Sequence, residues 1–147
     1  MIVIVGLGVF GADGAGARDR LPGPIPAALV RVIDGDSFIV KARTWIDQET
    51  TVTVRPRGYD SAELRGRCDR ERMLALRAKR DLSRILTGAA TILLSDIEAD
   101  KYGGRVNARV ILQPGSQDLT ARMLDAAGRS GHSRPYKGRR EAWCITP

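Results

Sequence analysis

The chain has a single histidine and only two cysteines among its 147 residues. Together these offer three ligands at most, short of the four of a structural zinc centre, which excludes most zinc chemistry. One histidine also argues against a histidine-based nucleophile triad. For an enzyme working near neutral pH this points to a carboxylate as the base. His132 sits among Gly131, Ser133 and Arg134, which predicts a polar surface loop without a role. There are no internal repeats, heptads or low-complexity tracts. The apolar stretch over 2–10 is too short to cross a bilayer, so no stable membrane insertion of the mature protein is expected.

What is present points to one domain of ordinary size. Hydrophobic residues make up 43% of the chain, enough for a real core. The formal charge of +7 suggests a polyanionic partner, with nucleic acid ahead of an anionic membrane or plain solubility. The apolar stretch 2–10 followed by Ala15-Gly16-Ala17 predicts a signal peptide over 1–17 and a secreted or periplasmic protein, although a basic n-region is missing. The alternative is a buried first strand, which would leave the protein cytoplasmic. Three prolines in 18–26 predict a linker over 18–27, with the folded domain at 28–147.

From Ala28 the pattern is β. The run 29–33 ends in Asp34-Gly35-Asp36, a tight-turn signal. Phe38, Val40 and Ala42 alternate with polar residues in a second strand, and Val52 and Val54 do so in a third over 51–59. The period then changes: Leu74, Ala78, Leu82 and Ile85 recur at helical spacing over 69–87, with Asp69 as N-cap and Gly88 as stop. Strands over 91–94 and 104–112 follow, then a helix from about Ser116 to Ala127 and a basic, irregular tail. Three strands, a helix, two strands and a helix match a mainly β fold with α: a five-stranded OB-fold Greek-key barrel, one helix inserted after strand 3 and another after strand 5.

The stretch Val54 to Cys68 concentrates the chemistry. Arg55 and Asp60 are an odd number of residues apart, so an unbroken strand would aim them at opposite faces. Serving one site requires a break near Gly58. Two carboxylates, Asp60 and Glu63, with a guanidinium at a strand end suit a hard cation and a phosphate together. A charged loop solvated by water is the plainer reading of the same residues. An EF-hand at Asp34 and Asp36 is excluded, because the twelve-residue ligand spacing and its closing glutamate are missing.

Three blocks, Val32-Ile33-Asp34-Gly35-Asp36-Ser37, Val54-Arg55 through Asp60-Ser61-Ala62-Glu63-Leu64, and Asp100-Lys101-Tyr102-Gly103-Gly104-Arg105, resemble the signature blocks of the staphylococcal nuclease (thermonuclease) family. They occur in the same order, with the helix between the second and third, and the resemblance covers roughly residues 28–144. It implies an OB barrel and calcium-dependent hydrolysis of DNA and RNA, single- or double-stranded, to 3′-phosphate ends. By the same resemblance Asp36, Asp60 and the Ser61 carbonyl are calcium ligands and Glu63 is the general base. Arg55 and Arg105 are the phosphate-binding arginines. Lys101 and Tyr102 fall at a nucleotide-contacting position, and Tyr136 lies in the region of a nucleotide-binding tyrosine, where packing is the equal alternative.

The sequence departs from the family pattern at Pro56, which calls for a bulge or an edge position, at Tyr59, where an aliphatic residue is usual, and at Ala62, where proline is usual. The last change predicts a less rigid loop around Glu63. In an exported protein Cys68 and Cys144 are expected to pair, as they do by position in similar family members; in the cytosol they would stay reduced. Arg65, Arg67, Arg70 and Arg72, with Arg134, Lys137, Arg139 and Arg140, either track a nucleic-acid backbone or form a solvated basic face. A non-catalytic OB module binding nucleic acid through that face is the alternative from another functional class.

Overall fold

The computed structural model describes residues 19–128, 130–139 and 142–144. The predicted signal peptide over 1–17 and Arg140 lie outside the described residues. The elements run β1 (Arg20–Leu21), β2 (Ile25–Val32), β3 (Phe38–Trp45), β4 (Gln48–Pro56), β5 (Tyr59–Ser61), α1 (Asp69–Thr87), β6 (Thr91–Ala99), β7 (Arg105–Gln113), β8 (Gln117–Asp118), α2 (Leu119–Ala127) and β9 (Ser133–Pro135). Among the described residues no helix is long and apolar enough to cross a membrane.

Five of these strands close into a barrel. β2, β3 and β4 pair antiparallel in succession, β4 pairs parallel with β7, β7 pairs antiparallel with β6, and β6 returns to β2. This is the mainly β, OB-like barrel the element order predicts, with α1 inserted after the third barrel strand and α2 after the fifth. Period-two alternation puts Phe38, Val40, Val54, Leu94, Ala108 and Val110 inside, each at most 2% exposed. Helical spacing puts Leu82, Ile85 and Leu86 of α1 on the same core, joined by Leu119 and Met123 of α2. Each large side chain buried this way contributes about 1.5–3 kcal/mol relative to exposure.

The structure differs from the sequence expectations at several boundaries. The segment expected as a linker is sheet: Arg20 and Leu21 pair with Glu98 and Ile97, and Ile25 to Ala27 pair with Leu94 to Ile92. Its prolines did not prevent this, because a proline tolerates a strand position whose missing N–H bonds nothing. The third barrel strand stops at Pro56 rather than running to Tyr59, so Pro56 occupies a strand end instead of a bulge. The N-cap of α1 is Cys68, making Asp69 the first helical residue. The last helix starts at Leu119 rather than Ser116, because Asp118 caps it: Asp118 Oδ1 accepts the Thr120 N–H at 2.8 Å and the Ala121 N–H at 3.4 Å. Asp118→Ala is expected to cost about 1 kcal/mol, read as a lower denaturant midpoint at unchanged slope.

The tail is also more ordered than its composition suggests. β9 pairs antiparallel with β5, and His132 is buried rather than on a surface loop. Its Nε2 lies 3.0 Å from Asp81 Oδ2 on α1 and its Nδ1 lies 2.9 Å from Ser133 Oγ. A buried imidazole needs such partners, and here they tie β9 to α1.

Candidate active site

The turn between β2 and β3 is fixed from three sides. Asp34 Oδ1 accepts the Asp36 N–H at 3.1 Å and the Ser37 hydroxyl at 2.6 Å, so Asp34 shapes the turn that presents Asp36. Gly35 lies so close to its neighbours that a Cβ there would fall 2.5 Å from Ala78 Cβ and 2.6 Å from Ser61 Oγ. The buried Tyr59 hydroxyl donates to the Gly35 carbonyl at 3.0 Å. Tyr59 thus holds the turn against β5. Burial and the nearby Asp36 push its phenol well above the usual tyrosine range, so it stays a donor.

The two arginines reach the site from adjacent strands. In the parallel β4–β7 pair Thr53 faces Arg105 and Arg55 faces Asn107, while Val54 and Ala108 point into the barrel. Directly paired residues share a face, so Arg55 and Arg105 both stand outside the barrel, one diagonal step apart. The chain then breaks at Gly58, whose φ of 99° is a conformation side chains disfavour. Thr120 braces the break, its hydroxyl donating to the Arg57 carbonyl at 2.6 Å. β5 leaves the barrel there and folds Asp60 back over Arg55, resolving the parity problem between them.

Arg55 bridges the two aspartates. Its Nη2 donates to Asp60 Oδ1 at 2.8 Å, and its Nη1 lies 3.3 Å from Asp36 Oδ2. Asp36 and Asp60 are each 8% exposed. Burial pushes the Asp36 carboxyl up to about 8, with Arg55 pulling it down and Asp34 adding to the rise. Burial works against the Arg55 charge, but Asp36 and Asp60 outweigh it and raise its pKa further. The Ser61 side chain is buried, and its N–H donates to Asp36 Oδ2 at 3.3 Å. The β9 bonds run through Ala62 and Gly58, so by alternation the Ser61 N–H and carbonyl both face away from β9, towards Asp36.

This donor set fits a hard cation. Two convergent carboxylates and one carbonyl, all oxygen, are what calcium takes, and a dication beside Asp36 would reverse the effect of burial on its proton. Among the described residues a second cluster, Cys68, Glu71 and Cys144, has ligand atoms within 4.8 Å of one another. Its sulfurs are joined in a disulfide, so it offers no thiolates to a metal.

Around the aspartates lies a cleft of about 600 Å³ whose walls include Asp36, Asp60, Arg55, Arg105 and the exposed Glu63. Lys101, Tyr102 and Tyr136 complete the rim, both tyrosines more than half exposed. Tyr136 therefore faces the cleft instead of packing in the core. The Tyr102 ring has Lys101 Nζ 5.0 Å and the Arg105 guanidinium 4.8 Å from its centre. Every side chain predicted for the site lines this cleft except that of Ser61, which is buried. The sequence assigns no site role to Asp34, Tyr59 or Asp100. Asp100 Oδ2 accepts from Arg105 Nε at 2.6 Å; burial disfavours its charge, yet Arg105 holds its pKa below the usual carboxylate range. Its place directly before Lys101-Tyr102 was the available signal. The predicted Cys68–Cys144 disulfide is present, with Cα atoms 6.1 Å apart. Neither protein-family models nor curated proteins match this chain.

Proposed function

We propose that this protein is a calcium-dependent nuclease of the staphylococcal nuclease type, hydrolysing phosphodiester bonds of DNA and RNA to leave 3′-phosphate ends. One observation carries the reading: Asp36, Asp60, Glu63, Arg55 and Arg105, distant in sequence, line a single open cleft. Asp36, Asp60 and the Ser61 carbonyl would hold the ion. Calcium bound there would supply positive charge to the scissile phosphate. Glu63 stands exposed at the mouth and takes the proton from the attacking water. The planar forks of Arg55 and Arg105 offset charge developing on the phosphate oxygens, in geometry a lysine cannot copy. Tyr102, Lys101 and Tyr136 offer ring faces and a cation to the flanking nucleotides.

The Cys68–Cys144 bond supports an exported, secreted or periplasmic protein, since such bonds persist in oxidising compartments. Single-stranded DNA incubated with the protein should lose full-length strand in calcium and keep it in chelator. Gel retardation without cleavage in calcium would replace the enzyme with a nucleic-acid-binding OB module.

A further inference from the structure

Glu63 has no rigid residue beside it: Ala62 precedes it and Leu64 follows. Both neighbours instead pack into a small second core with Leu74 and Ala75 of α1 and with Trp143 from the tail. Trp143 is 3% exposed, and the next residue, Cys144, is bonded to Cys68 at the start of α1. Arg134 links the same tail to the aspartate strand. Its guanidinium lies 4.5 Å over the Trp143 ring, its Nη1 donates to the Ala142 carbonyl at 3.1 Å, and its backbone pairs with Asp60. The loop's backbone is tied at both ends: the Ala62 N–H donates to the His132 carbonyl at 3.0 Å and the Gly66 N–H to the Glu63 carbonyl at 2.9 Å, while the Arg67 N–H donates to Glu71 Oε2 and Arg72 Nη1 to the Gly66 carbonyl, both at 2.8 Å.

We propose that the tail segment 142–144, stapled by Cys68–Cys144, props the loop from below and so helps to position Glu63, with Trp143 as the positioning residue; as a statement about a general base this rests on the nuclease reading. The tail supplies from below the stiffness that a proline at position 62 would have supplied within the loop. Trp143 acts through its ring area. Its Nε1 is buried without a hydrogen-bond partner among the described residues, so the indole N–H anchors nothing there. Cutting the staple frees Trp143 to leave, and Ala62 and Leu64 then lose their floor while the barrel core remains. Misplacing a catalytic group by about 1 Å can cost about a hundredfold in rate.

The test compares wild type, the Cys68→Ser/Cys144→Ser double variant, Trp143→Ala and Trp143→Phe. Each is assayed for calcium-dependent cleavage of single-stranded DNA and for amide hydrogen exchange. The expected result is a kcat about 10- to 100-fold lower in the double variant and in Trp143→Ala at little-changed KM. Trp143→Phe, which keeps an apolar ring, should stay within a few fold of wild type. Exchange should quicken at 62–66 in the double variant while β3 and β4 amides stay protected, which separates loss of positioning from unfolding. Wild-type kcat together with wild-type exchange at 62–66 in the double variant would overturn the proposal, whatever Trp143→Ala does. If wild type itself cuts no DNA, the nuclease reading falls, and the exchange at 62–66 alone decides whether the tail holds the loop.

Discussion

Glutamine in place of Glu63 is expected to lower turnover by roughly 10²- to 10⁴-fold, the usual worth of a positioned general base, while binding of single-stranded DNA in calcium changes by no more than a few fold. The substitution keeps size and hydrogen-bonding reach but removes the basic oxygen, so it separates proton abstraction from contact. Glu63 is exposed, so glutamine there buries no new group. A denaturant melt of the variant checks that slow turnover does not reflect a smaller folded fraction. Single-turnover cleavage and equilibrium binding on the same oligonucleotide give the two numbers. Equal turnover by wild type and variant removes Glu63 from the mechanism. Turnover and binding lost in equal measure would make it a substrate-binding group instead.

What could be read from the sequence follows the reach of each signal. β3 and α1 declare themselves locally, because the period of two at Phe38, Val40 and Ala42 and the helical spacing of Leu74, Ala78 and Leu82 each report one buried face. β9 does not. It is three residues, Ser133–Pro135, too short for a period, and it exists because β5 offers an edge some seventy residues earlier. The same limit hides His132: its neighbours in sequence are polar, but its partner Asp81 lies 51 residues away on α1. In the site, the odd spacing of Arg55 and Asp60 demanded a break and Gly58 marked it, whereas the direction of β5 after the break depends on β9. The role of Tyr59 is not legible locally, because its hydrogen-bond acceptor, the Gly35 carbonyl, is 24 residues upstream. Trp143 carried no local signal beyond being an apolar residue in a basic tail.

The arginine that joins the two aspartates leads to an effect of opposite sign on two quantities. Arg55→Met keeps the length of the stem and removes the charge. Turnover should fall by about 10²- to 10³-fold, as for loss of one transition-state donor. Calcium, however, should bind the variant more tightly than wild type, because the guanidinium that now contacts both carboxylates, 2.8 Å from Asp60 and 3.3 Å from Asp36, competes for the same oxygens. Without calcium the variant leaves two mostly buried carboxyls without their counter-charge, a loss of roughly 1.5–3 kcal/mol for charged partners. Asp36 moderates it, since a carboxyl that burial has pushed up to about 8 can hold its proton at neutral pH instead of standing charged and unpaired. A ligand that binds only the folded state raises Tm with its affinity, so calcium should lift Tm further in Arg55→Met than in wild type. Thermal melts of both proteins in chelator and in calcium measure the difference directly. An equal or smaller lift in the variant would mean that the ion does not sit between Asp36 and Asp60, and the metal assignment would fall even if the arginine proved essential for cleavage.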